Sequence, residues 1–224
     1  MNNSSAQSIQ PTDTDTPAKP KRLSWAKRIN LLFLGLVLAT GIKVAIEMVV
    51  DAPIPPSSFP EVGGNFTLNS SSGPVSLGEF KNKVVLLSFG YTHCPDVCPA
   101  TLSNISAALR LLKQSEDLAN VQTLFVTLDH ERDSVDDVAT YVDYFHSNMI
   151  GLTGSEEELR QVTNQYKVGF QKDEIDSKGG YTMSHLSYIF VIRPDNQIGE
   201  LLSHTTPPKE IVEAVRHWLP WSES

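Results

Sequence analysis

The sequence predicts an α/β domain, a sheet with a parallel core and helices on its faces, led by a β-hairpin and tethered to an N-terminal transmembrane helix. Three observations predict it. Two short apolar runs rich in β-formers, residues 84–90 and 121–128, alternate with stretches whose apolar residues recur at spacings of three and four; such alternation gives parallel strands with crossover helices. Ahead of them, Asn69-Ser-Ser-Ser-Gly-Pro74 separates Phe66-Thr-Leu68 from Val75-Ser-Leu77, a hairpin signal with Gly and Pro in its loop. Residues 29–50 form a long apolar stretch, and 22 helical residues reach about 33 Å, the thickness of a bilayer's hydrocarbon core.

The N-terminal part reads as three pieces. Residues 1–28 are a disordered tail with five basic and two acidic residues, and residues 51–224 carry 12 basic and 23 acidic ones, within a net charge of −8. The basic cluster before the span keeps that end cytoplasmic and exports the chain beyond the span. Lys43 and Glu47 interrupt the span but sit four apart, where they can pair on one face. A cleaved signal peptide, with Ala39-Thr-Gly41 as a small-residue site, is the alternative; the 28-residue polar lead favours the anchor. Asp13 and Asp15, without an Arg-rich amphipathic pattern, favour a bacterial inner membrane with a periplasmic domain over a mitochondrial transit peptide. Residues 51–60 are a Pro-rich, semi-rigid tether, and residues 61–224 are the folded domain.

Within that domain, residues 84–90 read as a strand buried on both faces. A helix follows from about Ala100 to Lys113, its apolar face marked by Leu102, Ile105, Leu109 and Leu112. Residues 121–128 are the next strand. Ser134-Val-Asp-Asp137 is a capping box opening a helix to about Phe145, and Gly154-Ser-Glu-Glu-Glu158 opens another that ends near Tyr166. Residues 187–193 and 198–202, joined by Pro194-Asp-Asn-Gln197, form a second hairpin. Pro207-Pro-Lys-Glu210 starts a closing helix that reaches about Leu219, with Pro in its first turn.

The acidic balance of the exported part argues against a nucleic-acid binder. Two cysteines exclude a four-Cys zinc or iron–sulfur site made by one chain. Those two, in Cys94-Pro-Asp-Val-Cys98-Pro99, fall just after the first buried strand, at the sheet edge where ligands gather in α/β folds; this is the arrangement of a thioredoxin-like domain. Four-residue spacing lets both sulfurs meet on one turn, as a disulfide or as two ligands of one metal. Pro99 disfavours the helical region at Cys98, so the motif straddles the loop–helix junction, where a helix N-terminus favours thiolate. A purely structural disulfide is the bland alternative, and a loop this short restrains little chain.

His185, just before the later hairpin, is the best third ligand on position; two thiolates and an imidazole suit Cu(I), and can also hold Cu(II) or Zn. A surface histidine is the competing reading. His93, beside Cys94, is a weaker candidate, followed by His130, His146, His204, His217 and the thioether of Met183. Asp129 closes the second buried strand and can either tune His185 or the thiols as a supporting carboxylate or simply cap a helix. No Gly-rich phosphate loop follows a strand, and no nucleophile elbow appears. Position 91 is Tyr where a peroxiredoxin-type peroxidase has Thr.

Taken in order, Gly63-Gly-Asn-Phe-Thr-Leu68, Lys83-Val-Val-Leu-Leu-Ser-Phe-Gly-Tyr-Thr-His-Cys-Pro-Asp-Val-Cys-Pro99, Leu124-Phe-Val-Thr-Leu-Asp-His-Glu-Arg-Asp133, Ile150-Gly-Leu-Thr-Gly154, Tyr181-Thr-Met-Ser-His185 and Thr205-Thr-Pro-Pro-Lys-Glu-Ile211 resemble the Sco/SenC family of membrane-anchored thioredoxin-like proteins. The resemblance implies copper held by Cys94, Cys98 and His185, with Asp129 in support. It implies delivery to the dinuclear copper centre of cytochrome c oxidase, with the copper-centre subunit, other copper chaperones and the membrane as partners. A thiol–disulfide reductase that keeps the acceptor cysteines reduced is the alternative function. The sequence departs from the family at His130, where Pro is common, and at Ser184, where an Asp commonly precedes the histidine.

Overall fold

The computed structural model describes Trp25, residues 62–173 and residues 180–219. The predicted tail, span and tether lie outside the described residues, Trp25 excepted. Among the described residues no helix is long and apolar enough to cross a membrane.

The domain opens with a hairpin of β1 (Thr67–Ser70) and β2 (Gly73–Ser76), paired antiparallel. Gly73 sits at its turn with φ of +112°, a conformation that L side chains rarely adopt. Then come β3 (Val84–Gly90), α1 (Val97–Gln114), β4 (Val121–Thr127), α2 (Val135–Asp143), β5 (Met149–Leu152) and α3 (Glu156–Gln165). A short hairpin of β6 (Phe170–Lys172) and β7 (Met183–His185) leads into β8 (Tyr188–Ile192), β9 (Ile198–Ser203) and α4 (Pro208–Trp218). The main sheet has the order β5-β4-β3-β8-β9. β3, β4 and β5 run parallel, while β8 and β9 return antiparallel. The later hairpin is therefore part of the sheet, and β8 makes β3 its central strand.

All seven residues of β3 are buried, and their alternation serves two cores. Val84 and Leu86 face α1, α2 and α4 with Phe125, Ile189 and Val191; Val85, Leu87 and Phe89 face the first hairpin and α3 with Leu68, Leu124, Tyr166 and Phe190. Strand pleating sends successive side chains to opposite faces, so an unbroken apolar run is what a two-sided sheet requires. The predicted stripe of α1 (Leu102, Ile105, Leu109, Leu112) is fully buried. At about 1.5–3 kcal/mol per side chain, this burial outweighs any cap. α1 begins three residues earlier than the periodicity predicts, at Val97 rather than Ala100. Pro99 is tolerated there because the first-turn N–H groups have no intrahelical acceptor; the regular bonding starts with Ala100 N–H to the Asp96 carbonyl at 3.1 Å. The predicted capping box holds, with Ser134 accepting from the Asp137 N–H, and the structure adds a second in which Ser155 accepts from the Glu158 N–H, both acids reaching back.

Candidate metal centre

The site lies at the carboxyl end of β3. Gly90 is there because space demands it: a Cβ would stand 2.7 Å from Cys98 Sγ and 2.8 Å from Phe125. The missing side chain lets Cys98, in the first turn of α1 and 4% exposed, settle against the strand end. The Cys98 N–H donates to Cys94 Sγ at 3.4 Å, so the loop folds back and sets the first sulfur at the helix N-terminus.

The loop is fixed by a residue that sequence reasoning missed in this role. Asp133 is 1% exposed and accepts from the Thr92 N–H at 2.9 Å, from the Thr92 hydroxyl and from the Thr127 hydroxyl. His93 Nδ1 lies 3.4 Å from the same carboxylate and 2.9 Å from Thr92 Oγ1, which turns its ring toward Asp133. The buried carboxylate thus ties the end of β4 to the chain two residues before Cys94. The only sequence signal was an acid following a buried strand, and Asp129 carried that signal equally.

His185 ends β7, opposite Phe170 of β6, and its Nε2 lies 3.9 Å from Cys98 Sγ. Its Nδ1 faces the Leu186 carbonyl at 3.1 Å and Ser187 Oγ at 3.4 Å. A carbonyl can only accept, so Nδ1 carries the proton and Nε2 turns its lone pair toward the sulfur. The Tyr91 ring packs edge-on against the imidazole with centroids 6.3 Å apart. Tyr91 also accepts from the Met183 N–H at 3.3 Å, which joins the cysteine loop to the histidine strand.

The two thiols are electrically unlike. A hydrogen bond from the Cys98 thiol, helped by the N–H groups of Cys98 and Asp96 and by the Tyr91 hydroxyl, holds Cys94 down at about 5 against its burial. Cys98 is pushed far up, by its hydrogen bond to Cys94 and by burial. Burial also lowers the imidazole of His185. The result is a half-exposed thiolate, a buried thiol and a neutral imidazole at one spot. Both cysteines are free. Among the described residues, no three Cys, His, Asp or Glu side chains are drawn together into a finished cation cage.

The other candidates fall elsewhere. Both oxygens of Asp129 are engaged away from the thiols: one accepts from the Tyr181 hydroxyl at 2.7 Å, the other from Arg132. Arg132 in turn donates to the Tyr181 carbonyl at 3.0 Å and covers the Tyr181 ring at 3.5 Å. Asp129 therefore braces the approach to β7, four residues before His185. The Met183 side chain packs into the core on the first-hairpin side. His130 lines a groove with Tyr181 and Phe170, His146 Nδ1 accepts from the Asn148 N–H, and His217 meets the Trp218 ring edge-on. His204 is near enough for its charge to help lower His185. Ser184 donates to Asp173, the residue just beyond β6, at 2.8 Å, as does Thr182; an acid thus stands beside Ser184.

A family model described as SCO1/SenC matches residues 55–220. The mitochondrial SCO2 homolog of Bos taurus is 37% identical over 154 residues, covering 68% of this chain and 58% of that protein. The mitochondrial SCO1 homolog of Homo sapiens is 28% identical over 217 residues, covering 94% of this chain and 72% of that one. The chain spans little more than half the length of the SCO2 relative. Among solved structures, Bradyrhizobium japonicum ScoI with copper bound matches with a TM-score of 0.65 and 33% identity, over 70% of this chain and 99% of that one. The fold is the thioredoxin-like fold of these proteins, and the chain belongs to the SCO1/SenC family.

Proposed function

We propose that this protein is a membrane-anchored copper carrier that holds its cargo with Cys94, Cys98 and His185 and delivers it to the dinuclear copper centre of cytochrome c oxidase. The observation that carries the reading is the convergence of two sulfurs and an imidazole lone pair at the end of β3, with Cys98 Sγ 3.9 Å from His185 Nε2. The donor set fits the cargo: thiolates and imidazole are the soft and borderline ligands that select copper over hard cations. Cys94 is already ionised at neutral pH. Cys98 gives up its proton when metal binds, because thiolate is the ligand form. The Nδ1–H of His185, facing the Leu186 carbonyl, keeps Nε2 available. Side-chain rotation at half-exposed Cys94 would close the set and reopen it to an acceptor, which suits a carrier rather than a permanent centre. The copper-bound relative supports the cargo; the basic tail and apolar span at residues 1–50 support a bacterial inner-membrane anchor with the domain in the periplasm.

The test is copper stoichiometry on the reduced full-length chain. One copper per chain is expected, lost in Cys94→Ser, Cys98→Ser and His185→Ala. If His185→Ala retains copper as the parent does, the three-donor reading fails.

A second reading, a thiol–disulfide reductase acting on the acceptor's cysteines, is favoured by the contrast between the thiols. Cys94 thiolate would attack a partner disulfide and Cys98 would resolve the mixed disulfide. His185→Ala would then keep activity while Cys94→Ser abolished it, without copper.

A further inference from the structure

On the α1 side, β3 carries Val84, Leu86, Ser88 and Gly90 in alternation. Its side chains shrink toward the metal centre, from two apolar groups to a hydroxyl and then to none. Cys98 and Phe125 fill the place of a Gly90 side chain, but beside Ser88 a cavity of about 10 Å³ remains, with Cys98, Thr101, Phe125, His185 and Ser187 among its walls. That is about the room one water molecule needs. Ser88 is 3% exposed, and its Oγ has no hydrogen-bond partner among the described residues. Buried hydroxyls in native proteins are nearly always bonded, to protein or to ordered water. Among the described residues no surrounding side chain makes that bond. Thr101 Oγ1 donates to the Val97 carbonyl at 2.8 Å, Ser187 Oγ leans on His185 Nδ1, and Phe125 is apolar.

We infer that this cavity is a binding site for a single water molecule, which accepts a hydrogen bond from Ser88 Oγ and donates one to the Cys98 sulfur from behind the Cys98–His185 pair. The consequence deepens the proposed function and, for that part, rests on it. Cys98 is shielded from bulk solvent, so a thiolate there depends on donors inside the fold. A hydrogen bond to a ligating sulfur draws charge from it and shifts the balance between Cu(II) and Cu(I), as hydrogen bonding around a Cys sulfur does at other copper sites. Ser88 is then a positioning residue acting through the water.

The experiment has two arms on the full-length chain. In the metal-free reduced protein, water–protein NMR cross-relaxation should show a long-lived water at Ser88 and Cys98, lost in Ser88→Ala. No such contact in the parent overturns the site. In the Cu(II)-loaded protein, the sulfur-to-copper charge-transfer band should move to lower energy in Ser88→Ala. An unmoved band, with the water present in the parent, overturns the link to Cys98. A chain that takes up no copper yet shows the water contact supports the site and counts against the copper reading alone.

Discussion

Replacing Gly90 by Ala places a methyl group 2.7 Å from Cys98 Sγ and 2.8 Å from the Phe125 ring, with a second ring carbon at 3.0 Å. Ordinary non-bonded contacts lie near 3.5–4.0 Å, so about 1 Å must be recovered. Neither neighbour yields easily: Phe125 is fixed in the core against Tyr141, and Cys98 is anchored in the first turn of α1. Overpacking of this kind costs about 1–3 kcal/mol, which for a domain of this size is a fall in Tm of roughly 2–12 °C. The assay is thermal unfolding of the reduced, metal-free full-length chain, followed by near-ultraviolet circular dichroism. Gly169→Ala is the control, since a Cβ there meets nothing within 4 Å; it should be neutral or stabilise by up to about 1 kcal/mol. The same displacement of Cys98 should weaken copper retention in Gly90→Ala. If Gly90→Ala unfolds with its parent and keeps copper equally well, then Cys98 is not seated against the end of β3, and the account of the site is wrong.

Other predictions test separate parts of the site. Alkylation of Cys94 should follow its thiolate, so the rate stays near its maximum above pH 6 and falls by half close to pH 5, as protonation overtakes the depressed value; mass mapping with a midpoint near 9 would contradict this. Asp133→Ala strands the Thr92 N–H and the Thr127 hydroxyl, and denaturant melts should show a loss of at least about 2 kcal/mol; a loss under about 0.5 kcal/mol would mean the clamp is idle. Ser184→Asp sets a second carboxylate against Asp173 and should increase amide exchange in β6 and β7. Pairing it with Asp173→Ser should restore protection, and protection unchanged in the single variant would remove Asp173 from the description of the hairpin.

Much of this architecture could be read from residues whose neighbours in sequence decide their structure. The two-sided burial of β3 is written in its unbroken apolar run, and the capping boxes at Ser134 and Ser155 are local chemistry. β5, β6 and β7 carry no such signal. β5 has four residues, and the arms Phe170-Gln-Lys172 and Met183-Ser-His185 are short, partly exposed and mixed in polarity, so neither periodicity nor β-propensity marks them. Their pairing places His185, which is why the sequence marks it only by its place before the later hairpin and by resemblance, and not by periodicity. Cys94 and Cys98 announced themselves by spacing, but the opposite displacement of their acidities depends on burial and donors that only the fold supplies. Asp129 and Asp133 look alike in sequence. The fold separates them, one bracing Tyr181 through Arg132 and the other clamping Thr92 across 41 positions of chain.

X-ray absorption on the Cu(I)-loaded full-length chain, alongside His185→Ala, addresses the three-donor site most directly. Two sulfur neighbours and one imidazole nitrogen are expected in the parent, with the nitrogen lost in the variant. A sulfur-only shell in the parent, or an imidazole signal that survives the loss of His185, would contradict it.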